Sequence, residues 1–135
     1  MSEEERTGQQ PGDAHEIEPL PADTGFYRVD DLPGFMPLPG VQMNLLTGSR
    51  TMVNWVRINP GGEVPEHSHP HEQLGLVLEG EIVMTISGES KRCQPGDCYI
   101  IAGGVIHSGA AGPNGCLVLD VFSPPRDDYR QAASE

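Results

Sequence analysis

Between Val41 and Ser123 the chain runs in short β-prone bursts, each closed by Gly, Pro, Asn or Ser. They read VQMNLLTG, TMVNWVRI, VPEHSH, QLGLVLEG, EIVMTISG, ESKRCQPG, DCYIIAGG and CLVLDVFS. Neighbouring side chains on a strand face opposite sides, so a two-residue apolar period marks strands with one buried face. No segment sustains a 3.6-residue period with helix caps. Many short strands with regular turn signals predict an all-β domain, either a closed barrel or a sandwich. Pro113-Asn114-Gly115 is a turn signal and predicts a boundary before CLVLDVFS.

The flanks have a different character. Residues 1–24 are rich in Glu, Gln, Pro and Gly and predict a disordered acidic tail. Residues 25–40, GFYRVDDLPGFMPLPG, predict an extended arm lying against the domain, because prolines interrupt any regular element. Residues 41–126 then form the barrel, and residues 127–135 form a C-terminal tail with one helical turn or none. A length of 135 residues suits one domain of this kind.

Composition narrows the partners. The net charge of −12 argues against binding to nucleic-acid phosphates or anionic lipid, which needs clustered Lys and Arg. No apolar run approaches the roughly 18 to 20 residues of a membrane span. The opening MSEEERTGQQPGD has neither a basic region nor an apolar core, so a secretory signal is not expected and a cytoplasmic placement is. Cys93, Cys98 and Cys116 make an odd count without a Cys-x-x-Cys pair, and are expected to be reduced, buried thiols.

The histidines carry the chemistry. Four of the five fall in two places, three in HSHPHEQ and one at His107. His67 and His69 stand two apart on a strand and so share a face. Pro70 interrupts the ladder, Gln73 opens the next strand, and antiparallel pairing returns Gln73 beside the His pair. With His107, three imidazoles and one amide oxygen converge on one divalent transition metal ion, leaving positions for water or substrate. Zn, Ni, Mn, Fe and Co all suit such ligands. A neutral Gln73 leaves the full charge on the ion, making it a stronger Lewis acid than a carboxylate ligand would. It also departs from the two-His, one-carboxylate iron site that activates oxygen. His71 is open between a further ligand, a neighbour of the ligands and a rim residue, and alternation turns Glu72 to the surface.

On the last strand, Val118, Asp120 and Phe122 share one face. A carboxylate among apolar residues is costly unless paired or functional. Arg126 lies just beyond. It either pairs with Asp120 to tie down the C-terminal segment or meets a substrate carboxylate in a forked geometry.

Gly61, His67, His69, Gln73 and Gly80, followed by Gly96, Ala102, Gly104 and His107, resemble the two motifs of the cupin superfamily in order and spacing. Gln73 stands where Glu is usual, and Ala102 where Pro is usual. The resemblance spans residues 41 to 123 and implies a double-stranded β-helix, or jelly-roll barrel. HSHPHEQ and DVFSPPRDDY further resemble the KdgF-type cupins of pectin and alginate breakdown, which help convert unsaturated, ring-closed uronate monosaccharides to linear ketonic forms. That resemblance implies metal ligands at His67, His69, Gln73 and His107, and active-site roles for Asp120, Phe122 and Arg126. The chain is also similar to zinc polyketide cyclase cupins. The function implied is that of a metal-dependent isomerase or lyase on a small carbonyl- or hemiketal-bearing acid such as an unsaturated uronate, working as a homodimer on a small-molecule substrate. The alternatives are a polyketide cyclase, a non-catalytic metal- or sugar-binding cupin, and an iron-dependent oxygenase.

Overall fold

A computed structural model describes residues 24–134. The tail expected over residues 1–24 thus lies outside the described residues except for Thr24. In chain order the strands are β1 (Gly34–Leu38), β2 (Val41–Thr47), β3 (Met52–Ile58), β4 (Glu63–His67), β5 (Glu72–Ile86), β6 (Glu89–Cys93), β7 (Cys98–Ile101) and β8 (His107–Ser123). A short 3-10 turn (Val29–Asp31) precedes them and a helix, α1 (Asp127–Ala133), follows.

The two long strands organise the rest. β5 and β8 run antiparallel from Glu72 opposite Ser123 to Ile86 opposite His107. Their halves take different neighbours. The Gln73 end of β5 pairs with β7 and the Phe122 end of β8 pairs with β3, which continues to β2 and β1. The Ile86 end of β5 pairs with β6, and the His107 end of β8 pairs with β4. One pair of strands therefore serves two antiparallel ladders, the all-β jelly-roll arrangement expected from the sequence. Val41, Met43, Val56, Ile58, Val77, Ile82, Met84 and Val118 fill the interior. Burying each such side chain contributes about 1.5 to 3 kcal/mol.

Two expected boundaries are absent. QLGLVLEG and EIVMTISG form one continuous strand that bends at Gly80, where φ is +70°. A Cβ there would lie 2.0 Å from the Gly115 carbonyl oxygen, so only glycine allows the approach. Facing this bend, the register passes from Gly80 opposite Cys116 to Ile82 opposite Ala111. Residues 112–115 lie opposite Glu81 alone. The Pro113-Asn114-Gly115 signal makes a bulge inside β8 and does not end a strand. The stretch HSGAA, poor in strand formers, is a strand because β4 and β5 flank it on both sides.

The flanks also depart from expectation. The second half of the arm is β1, joined to β2 through Pro39-Gly40. Beyond Pro125 the tail forms a seven-residue helix, longer than one turn. Asp127 and Asp128 favour its N-terminus, and Tyr129 packs edge-on against Phe35 and Phe122, with ring centres 5.6 and 5.8 Å apart. Cys93 and Cys116 are buried, but Cys98 begins β7 and is exposed. No helix among the described residues is long and apolar enough to cross a membrane.

Candidate metal centre and active site

His67 closes β4 directly opposite His107, the first residue of β8, and their ring centres are 4.2 Å apart. His69 follows just past β4, with its ring centre 5.7 Å from His67 and 4.9 Å from His107. One ligand atom from each of the three lies within 4.8 Å of the others, and together they can hold a metal ion.

The hydrogen bonds behind the rings set which nitrogen faces inward. Nδ1 of His67 donates to Pro65 O at 2.8 Å, Nδ1 of His69 to His71 O at 3.1 Å, and Nδ1 of His107 to Val105 O at 2.8 Å. A carbonyl only accepts, so each Nδ1 carries a proton, and in the uncharged tautomer this leaves the lone pair on Nε2. Burial, reinforced by the nearby Arg126 charge, lowers His69 to about 4. Burial likewise lowers His107. Among the described residues, the buried Nε2 of His107 meets no partner.

Gln73 opens β5 on the inward face and is buried. Its amide donates to Asp120, which turns Oε1 toward His69 Nε2 at 3.0 Å. Two lone pairs thus face each other at hydrogen-bond distance with no proton between them. A cation accepting both removes that conflict, so the donor set fits a divalent transition metal ion. His71 stands apart from the three clustered ligand atoms. Its contribution on view is the backbone carbonyl that orients His69.

A carboxyl group adjoins this centre. Asp120 faces Asn54 of β3 on one side and Gly75 of β5 on the other. Tyr99 donates its hydroxyl to Asp120 Oδ1 at 2.9 Å. Burial pushes Asp120 up to about 6, although the bonds from Tyr99 and Gln73 and the Arg126 charge pull it down. Burial, then the Asp120 charge, also raises Tyr99 above its usual range, so it stays a donor.

Arg126 does not pair with Asp120. It sits past the end of β8 at the start of α1, where Asp128 is within reach. Nε and Nη2 donate to the two Asp128 oxygens at 3.3 and 2.8 Å. Its guanidinium carbon lies 3.6 Å from the Tyr129 ring centre and 5.3 Å from that of Phe122. Nη1 is buried and has no partner among the described residues. Phe122 is buried, its ring edge-on to His69 at 5.5 Å. His67, Gln73, His107, Asp120, Phe122 and Arg126 line one cavity. A second hollow of about 260 Å³ shares His67 and Tyr129 with it and extends past Pro37 and Glu66.

The Cupin domain family matches residues 54–122, which hold both halves of this centre. The chain is a cupin. It is 28% identical over 106 residues to the pectin degradation protein KdgF of Dickeya dadantii (strain 3937), covering 76% of this chain and 96% of that one. The solved structure of KdgF from Halomonas sp. superposes with a TM-score of 0.72 at 29% identity, over 77% of this cupin and 96% of the other chain. An RmlC-like cupin from Shewanella frigidimarina also gives 0.72, at 27% identity, over 77% and 94% of the two chains.

Among the residues of this cupin's cavity that the sequence did not single out are Tyr99, Tyr129 and Asn54. Tyr99 gave no signal, because only the pairing of β7 with β5 brings it to Asp120. Asn54 did give one. It is the polar member of an inward row with Met52 and Val56.

Proposed function

We propose that this cupin is a metal-dependent isomerase or lyase-type enzyme acting on a small carbonyl- or hemiketal-bearing acid such as an unsaturated uronate. The observation that carries the reading is one cavity lined by His67 and His107 of the histidine cluster, a buried carboxyl at about 6 and a guanidinium with a free buried Nη1. The similarity to a pectin degradation protein supports a uronate as substrate.

His67, His69, Gln73 and His107 would hold one divalent transition metal ion, which when bound supplies Lewis acidity to adjacent substrate oxygens. Arg126 takes the substrate carboxylate through Nη1, its fork held by Asp128 and its face by Tyr129. Asp120 removes the proton from the anomeric hydroxyl. The bond from the anomeric carbon to the ring oxygen then breaks, leaving an aldehyde and an enolate. Asp120 returns the proton to the alkene carbon next to the enolate carbon, which gives the ketone with no atom gained or lost. Phe122 walls the cavity and excludes water.

The test is loss of the ultraviolet absorbance of the conjugated double bond when the metal-loaded protein meets unsaturated galacturonate. Asp120→Asn should lower kcat by roughly 10²- to 10⁴-fold. Arg126→Gln should chiefly raise KM. Full turnover by Asp120→Asn would remove the proton role from Asp120. Saturable binding without turnover by the wild type would favour a non-catalytic sugar-binding cupin.

A further inference from the structure

Asn54 has 0% of its surface exposed, and neither Oδ1 nor Nδ2 meets a hydrogen-bond partner among the described residues. Burying an amide without partners costs stability. Apart from Asp120 opposite it on β8, its strand neighbours are apolar: Met52 and Val56 on β3 and Leu45 on β2. An apolar residue would therefore suit this position in the fold better than Asn does. Such a conflict between local environment and residue type marks sites kept for function. The position agrees, since Asn54 lines the cavity directly across from Asp120.

We propose that Asn54 is a substrate-binding, specificity-determining residue that takes a neutral hydroxyl group of the substrate. An amide offers one kind of donor and one acceptor, and a hydroxyl offers the same pair in reverse. A carboxylate only accepts, so it would leave Oδ1 unpaired against negative oxygen. Arg126 already supplies the cationic fork for a carboxylate. Asn54 thus reads the neutral, hydroxylated part of the molecule, beside the carboxyl that moves the proton. A site built to bond a hydroxyl also discriminates against analogues lacking it. The identity of the hydroxylated molecule rests on the uronate reading above, whereas the unpaired amide does not.

The experiment uses full-length, metal-loaded Asn54→Val and Asn54→Ala, with thermal unfolding, metal content and kinetics on unsaturated galacturonate measured together. The expected result is a Tm equal to or above wild type in at least one variant, unchanged metal content and KM raised roughly 10- to 100-fold with kcat within about threefold. An unchanged KM overturns the proposal. So does a fall in Tm in both variants, which would make the amide a structural group bonded through buried water. If the wild type leaves unsaturated galacturonate untouched, the uronate reading fails by itself. Thermal unfolding then decides for Asn54: a higher Tm in Asn54→Val supports an amide held unpaired for a ligand, and a fall in both variants overturns it.

Discussion

The Tyr99 hydroxyl reaches Asp120 Oδ1, at 2.9 Å, by lying across the backbone of Gly75. A Cβ on Gly75 would stand 2.0 Å from Tyr99 Cζ, so the bond depends on a residue without a side chain on the neighbouring strand. Gly75→Ala should displace the ring, cost about 1 to 3 kcal/mol through overpacking and lower kcat as Asp120 loses its donor. Tyr99→Ala should lower kcat by the same route. Because both act on one contact, the double variant should lose less stability than the sum of the singles. Strictly additive losses in chemical denaturation would show that the close approach carries no strain in the Gly75→Ala variant.

A second prediction concerns the neutral amide at Gln73, which faces His69 through Oε1 and donates to Asp120. Gln73→Glu keeps an oxygen ligand but cancels one unit of metal charge and removes the donor to Asp120. Metal content by plasma mass spectrometry should stay near about one ion per chain, while kcat falls roughly 10-fold or more. Gln73→Ala should bind less metal, and a chelator should lower the Tm of the wild type. Wild-type kcat in Gln73→Glu would show that the neutral ligand is immaterial to turnover.

The strands and the histidine cluster were legible because each depends on local periodicity. His67 and His69 share a face by the two-residue repeat alone. Gln73 was expected beside them through antiparallel pairing of the two successive strands, but β4 pairs with β8, and Gln73 arrives on β5 between β7 and β8. The bend at Gly80 was not legible, since Gly looks the same in a bulge as at a strand end. HSGAA has no strand-forming residues of its own, and its pairing partners are distant in sequence. Arg126 illustrates the same limit. The spacing to Asp120 left two partners open, and α1, which holds Asp128, forms through the packing of Tyr129 against Phe35 and Phe122.

The cysteines should differ in reactivity under native conditions. Cys98 is exposed, whereas Cys93 and Cys116 are buried. Burial, then the Asp120 charge, pushes Cys116 up to about 11, and burial also raises Cys93. The thiolate is the reactive form, so at neutral pH iodoacetamide should label Cys98 alone, and all three after unfolding. Rapid native labelling of Cys116, read by peptide mass spectrometry, would contradict the packing of β8 against β3.

The Arg126–Asp128 pair should appear in the pH dependence of stability. Burial works to raise the Asp128 carboxyl, but the hydrogen bonds and charge of Arg126 outweigh it and hold Asp128 below its usual range. A carboxyl with a depressed folded-state pKa contributes stability above its unfolded value, near about 3.9, and loses it as pH falls through the folded value. The Asp128 side chain is 59% exposed, so solvent screening limits the contribution at neutral pH to about 1 kcal/mol or less. Asp128→Asn should therefore be slightly less stable than wild type near neutrality, and the gap should close below roughly pH 4. The same variant frees Nη2 and loosens the fork that aims Nη1 into the cavity, so KM for a carboxylate substrate should rise while kcat changes little. A stability gap that stays constant down to strongly acid pH would show that Asp128 holds α1 by packing and not by charge.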